Sequence, residues 1–192
     1  MAGGDASVVV VAMGVAGCGK STVGRLLAER LDVAFAEGDA FHPAANVAKM
    51  KAGQPLDDDD RRPWLLSIGE WIAGRVGAAD GGVVACSALK RPYRDLLRQA
   101  ATAVGPPGGA PVWFLHLRLD QDLAAARVAA RPDHFMPTSL VASQFAALQP
   151  LEPDEAGIAV DAAQPVNEIV REALASLSRH WAATGREHRS AC

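Results

Sequence analysis

The chain is poor in cysteine, with three in 192 residues. Cys18, Cys86 and Cys192 are odd in number, far apart, and form no CxxC pair. That argues against a disulfide framework or a zinc site, and predicts a reducing, cytoplasmic setting. An excess of one charge is also missing. The formal net charge of −3 leaves no basic footprint for a nucleic-acid backbone or an anionic membrane, so neither is expected as a partner. No apolar run is long enough to span a bilayer. The nearest, VVVVAMGVAG from Val8 to Gly17, has no basic leader, since Asp5 is the only charge before it. Internal repeats are absent too.

What is present is ordinary globular material, 49% apolar and 21% charged. A chain of this length can bury a core without staples, and residues 1–192 read as one domain. Val8–Met13 is a continuous β-branched run, the look of a parallel strand covered on both faces. Ser21–Leu31 follows as an amphipathic helix. Residues 38–62 show no sustained period and read as loops and short turns. Trp64, Leu65, Ile68, Trp71, Ile72 and Val76 then recur at helical spacing. Val83–Cys86 is a second strand, and Pro92 suits the first turn of the helix after it. GPPGGAP, residues 105–111, is read as a surface loop, because Val112–Leu117 resumes the strand pattern. Asp120 can cap a helix to about Ala130, and Thr138 starts another. Ile158–Val160 is a short strand, and Pro165 opens a last helix with a polar, frayed tail over 184–192. Strands alternating with helices predict an α/β fold with a parallel sheet, and the first strand belongs near its centre.

Gly14, Gly19, Lys20 and Ser21 satisfy G-x-x-x-x-G-K-[ST] between that strand and helix. Such a loop folds its backbone N–H groups inward around phosphate oxygens, and the helix that follows adds its positive dipole end. Lys20 would reach the β- and γ-phosphates, and the Ser21 hydroxyl would ligate magnesium. Residues 14–22 (Gly14, Val15, Ala16, Gly17, Cys18, Gly19, Lys20, Ser21 and Thr22) are therefore the expected ATP and Mg2+ site. Cys18 is expected to pack rather than react.

The acceptor must be sought elsewhere. Residues 38–65, GDAFHPAANVAKMKAGQPLDDDDRRPWL, form an irregular stretch of unusual length with groups suited to a polyhydroxylated anion. Asp39, at the carboxyl end of the second strand, can accept the proton of an attacking hydroxyl and touch the magnesium shell, or it can be a turn residue. His42 is a substrate contact or part of a His-Pro turn. The run Asp57–Asp60 reads as a solvated face or cap that can orient Arg61 or Arg62. Trp64 and Trp71 read as core. Lys90 and Arg94, four apart after the Val83–Cys86 strand, can meet a carboxylate or merely flank a helix.

GVAGCGKST, GDAFHPAANVAKMKAGQPLDDDDRRPWL, CSALKRPYRDLLR and HFMPTSLVASQFAALQPLEPDE closely resemble the corresponding blocks of gluconokinases, the small P-loop family that phosphorylates D-gluconate. The likeness spans roughly Val8–Val170. It implies a three-layer P-loop fold of about five strands with a small lid. It also implies transfer of the ATP γ-phosphate to the gluconate 6-hydroxyl, feeding the pentose phosphate pathway, and a homodimer. Asp39, His42, Asn46, Lys49, Arg62, Lys90 and Arg94 become candidate pocket residues, with residues 38–63 as the substrate insert. Arg127 and Arg131 resemble the arginines of a kinase lid (residues 127–138), with His134 closing over the site, and Pro165 resembles the loop beside adenine. Rival readings are a kinase for shikimate or a nucleotide, or a nucleotide-binding module without an acceptor.

Overall fold

The computed structural model describes residues 8–105, 112–130 and 138–187. Five strands form one sheet: β1 (Val9–Met13), β2 (Phe35–Glu37), β3 (Gly82–Ala85), β4 (Val112–Arg118) and β5 (Gly157–Asp161). Their order is β2-β3-β1-β4-β5 and every pairing is parallel, with Val11 opposite both Val84 and Phe114. β1 is central, as expected for the strand that leads into the phosphate loop. The helices are α1 (Lys20–Leu31), α2 (Ala44–Lys51), α3 (Asp58–Gly77), α4 (Arg91–Thr102), α5 (Gln121–Ala129), α6 (Thr138–Ala147) and α7 (Val166–Glu187), the last following β5.

The strands alternate between two cores. Val10, Val83, Trp113, Leu115 and Leu117 pack on the α1, α5 and α7 side. Val9, Val11, Met13, Val84, Val112 and Phe114 meet α3 and α4. Because helices cover both faces, polar alternation is lost and the strands read as unbroken apolar runs. Each fully buried Val, Leu or Phe contributes about 1.5–3 kcal/mol.

Three boundaries differ from the sequence reading. Residues 38–62 are largely ordered as regular structure: a 3-10 turn at Gly38–Phe41, then α2, then the start of α3. α2 escaped notice because its only fully buried residue is Asn46, so it docks through polar contacts that leave no apolar period. α3 begins at Asp58 rather than near Trp64. Asp57 caps it, accepting from the Asp60 N–H at 2.8 Å while the Asp60 carboxylate accepts from the Asp57 N–H. Pro63 sits inside this helix, where its ring forfeits only a bond to the exposed Asp59 carbonyl. Finally, α7 continues to Glu187, so the expected tail is helical over 184–187.

Candidate active site

The turn from β1 to α1 is built around Gly14, whose φ of 138° and surroundings exclude a side chain. A Cβ there would lie 2.7 Å from the Leu117 carbonyl oxygen. The Gly14 N–H donates to the Ser87 carbonyl at 3.2 Å, joining the loop to the end of β3. Val15 and Cys18 are buried in the α1-side core, so they shape the loop through backbone alone. Burial pushes the other described thiol, Cys86, up to about 12, which makes it inert. Lys20 Nζ donates to the Val15 carbonyl at 2.9 Å, folded back along the loop it serves.

A cleft of about 570 Å³ opens from this loop toward the segment after β2. Its walls include Gly17, Lys20, Ser21, Asp39, His42 and Arg61. Gly38 starts the acceptor wall against β3, where a Cβ would meet the Ala85 carbonyl oxygen at 2.2 Å. Its own carbonyl accepts from Trp64 Nε1 at 2.7 Å, and the His42 ring stacks on Trp64 at 4.4 Å and 10°. Trp64 therefore belongs to the site as well as to the core. Burial lowers the His42 pKa, the Asp39 carboxylate opposes this, and Arg61 reinforces it, so the imidazole is neutral at pH 7.

The remaining insert cations are sorted by the aspartate run. Lys49 Nζ donates to both Asp60 oxygens at 2.6 and 2.7 Å, raising the lysine pKa and lowering the carboxyl's. Asn46 Nδ2 donates to the Asp60 carbonyl at 2.7 Å, so it clamps α2 to α3. Lys90 donates to both oxygens of Asp58 at 2.7 and 2.9 Å, and the Tyr93 hydroxyl donates to Asp58 as well. None of Asn46, Lys49 and Lys90 lines the cleft. Arg61 does, beside Asp58 and Tyr93, and exposed Lys51 joins it.

Two expected pocket residues are placed elsewhere. Arg62 faces a separate groove between α3 and α4, with Leu66 and Pro92, because one helical step carries it away from Arg61. Arg94 is fully buried. Its Nε and Nη2 donate to the two Glu155 oxygens, each at 2.7 Å, and the carbonyls of Ala88, Leu89, Gln149 and Pro150 take the rest. A guanidinium has five N–H donors, and all are spent inside the fold. Arg94 is a structural residue, not a substrate contact.

Arg127 Nη1 donates to the Ala162 carbonyl at 3.1 Å, beyond β5 and away from the cleft. Pro165 lies at the entry of α7, where its carbonyl accepts from the Glu168 and Ile169 N–H groups. Arg131 and His134 lie outside the described residues. Sequence reasoning missed Lys51 and Gln144, which also line the cleft. Gln144 lies in the block HFMPTSLVASQFAALQPLEPDE, but only the fold shows that it reaches the loop. The described residues hold no cluster of three His, Cys, Asp or Glu able to bind a metal alone. Ser21 and Asp39 on one cleft nevertheless suit Mg2+, which takes one or two protein oxygens and completes its shell with phosphates and water.

A strand, a phosphate-cradling loop and a helix at the centre of a parallel sheet, opening onto a polar acceptor wall, define a P-loop kinase. A family model described as an AAA domain matches residues 9–151. The chain is 43% identical to a gluconokinase of Gluconobacter oxydans (strain 621H), covering 91% of each protein. It is 38% identical to the thermoresistant gluconokinase of Escherichia coli (strain K12), over 86% of this chain and 91% of that protein. The crystal structure of a gluconokinase from Sinorhizobium meliloti 1021 superposes with a TM-score of 0.80 at 45% identity, over 95% of this chain and 98% of that one. The chain belongs to the gluconokinase family.

Proposed function

We propose that this chain transfers the γ-phosphoryl group of Mg·ATP to the 6-hydroxyl of D-gluconate, yielding 6-phosphogluconate and ADP. The observation that carries this reading is one cleft joining the phosphate loop to Asp39, His42 and Arg61. Phosphoryl transfer needs alignment and charge stabilisation more than covalent chemistry. Lys20 leaves the Val15 carbonyl for the β- and γ-phosphates, and Ser21 holds the magnesium that neutralises them. Asp39 orients the 6-hydroxyl and takes its proton. Neutral His42, held flat on Trp64, meets other hydroxyls. Arg61 is the cation for the gluconate carboxylate, since Lys49 and Lys90 already serve aspartates. Both described cysteines are buried free thiols, which suits the reducing cytoplasm. Among the described residues no helix is long and apolar enough to cross a membrane. The homodimer is carried over from the family likeness.

The test is ADP formation from Mg·ATP with gluconate, shikimate or nucleoside monophosphates supplied singly. Turnover should require gluconate. Turnover with another acceptor instead, or without any, overturns the reading. Arg61→Ala should raise the gluconate KM by about 10- to 150-fold, the loss of a charged hydrogen bond of about 1.5–3 kcal/mol, with kcat within a few-fold. An unchanged KM would remove Arg61 from the carboxylate site.

A further inference from the structure

Among the described residues, the phosphate loop has a side-chain hydrogen-bond partner far outside its own strand and helix. The Ala16 N–H donates to the side-chain oxygen of Gln144 at 2.6 Å, across 128 residues of sequence. An N–H can be met only by the carboxamide oxygen, so the orientation of this amide is fixed by chemistry. Ala16 lies on the Gly14 side of the loop, the side tied to Ser87 at the end of β3. Asp39, Ser87 and Gln144 line the same cleft. Gln144 thus meets the loop, through Ala16, inside the cleft that joins Lys20 and Ser21 to Asp39. The opposite end of the loop runs into Ser21 and Thr22 at the start of α1.

Gln144 is carried by α6, which is held at its far end. The Gln149 N–H donates to the Leu89 carbonyl at 2.8 Å, and the Gln149 side-chain oxygen accepts from the Arg91 N–H at 2.5 Å. Arg94 also donates to the Gln149 and Pro150 carbonyls, tying the chain after α6 to α4. Near its start, Val141 is packed in the core. The side chain of Gln144 is thus aimed at the loop by an element anchored to the segment that follows β3.

We propose that Gln144 is a positioning residue that distinguishes nucleoside triphosphate from diphosphate, by serving as the stand-in acceptor on Ala16 that the γ-phosphate displaces. One N–H offers one proton, and a phosphate oxygen is the stronger acceptor. A carboxamide oxygen and a phosphate oxygen also repel at hydrogen-bond distance from a shared donor. Arrival of the γ-phosphate moves Gln144 off Ala16, and its departure to the acceptor lets Gln144 return, leaving ADP without that contact. The inference rests on nucleotide binding by the loop and not on the identity of the acceptor.

The experiment is calorimetric titration of the full chain, without gluconate, using Mg·AMP-PNP and Mg·ADP. Q144A removes the competitor and should tighten AMP-PNP by about 2- to 12-fold, the equivalent of one ordinary hydrogen bond. Q144E keeps the acceptor and adds a charge facing the γ-phosphate, so AMP-PNP should weaken by at least about tenfold. Mg·ADP should change less than about threefold in both variants. Parallel changes for the two nucleotides would make Gln144 a packing residue and overturn the proposal. Weaker AMP-PNP binding in Q144A also overturns it, because the carboxamide would then be a phosphate ligand rather than its stand-in. Thermal melting of both variants separates these outcomes from a failure to fold.

Discussion

Asp39→Asn should lower kcat for gluconate phosphorylation by about 10²–10⁴, the contribution of a positioned general base. The substitution keeps the shape of the side chain and one oxygen for a metal, but it removes the group that can take the hydroxyl proton. The site gives that group a defined place. Gly38 is pressed against the Ala85 carbonyl, its own carbonyl is fixed by Trp64, and Asp39 follows in the 3-10 turn. The backbone of residue 39 is therefore set by packing that an asparagine does not disturb. The gluconate KM should move by less than a few-fold, since Arg61 and His42 remain. The check is steady-state kinetics at saturating Mg·ATP, with AMP-PNP affinity measured alongside to show that the phosphate loop is intact. A retained kcat with a raised KM would make Asp39 a substrate-orienting residue, and the proton would then leave by another route.

How far the site was legible depended on which physical signal each part leaves in the chain. The sheet and its two helical layers announce themselves because burial on both faces forces continuous apolar runs, and the phosphate loop because its glycines are needed at fixed offsets. α2 leaves no such trace, since Asn46, not an apolar stripe, is its buried anchor. The choice between Arg61 and Arg62 depends on helical phase, and that phase depends on α3 starting at Asp58, which Pro63 disguises. Trp64 was readable as core, yet its polar edge and its flat face do a second task on Gly38 and His42. Gln144 and Glu155 act on partners far away in sequence, so the block that contains both shows no task for either. The aspartate run shows the limit most plainly. Asp57 caps α3, one of the two tasks the run suggests from sequence, while Asp58 holds Lys90 and Asp60 holds Lys49, which a solvated face or cap does not foretell.

Arg94→Met should destabilise the protein by about 3–5 kcal/mol, the cost of leaving a buried charge without its partner. Glu155 is the residue left behind. Its side chain is fully enclosed, and burial alone would push its carboxyl up, but the Arg94 hydrogen bonds outweigh this and hold it below the ordinary range. Arg91 cannot substitute, lying 3.8 Å from Glu155 and already committed to Asp95, Glu152 and Asp154. A carboxyl with a depressed native pKa stabilises the fold above the unfolded value of about 4.3, and the gain is lost as pH falls through the native value. The wild-type protein should thus lose this contribution only in acid, and the variant should lack it already at neutral pH. Pairing Arg94→Met with Glu155→Leu should recover most of the loss, since replacing both partners with apolar groups removes the stranded charge. Denaturant unfolding of the two single variants and the double variant gives the coupling directly. If Arg94 instead met the substrate, the single variant would melt like the wild type and show a raised gluconate KM. The arginine's six internal bonds predict the reverse: a large loss of stability, and an unchanged KM in whatever fraction remains folded.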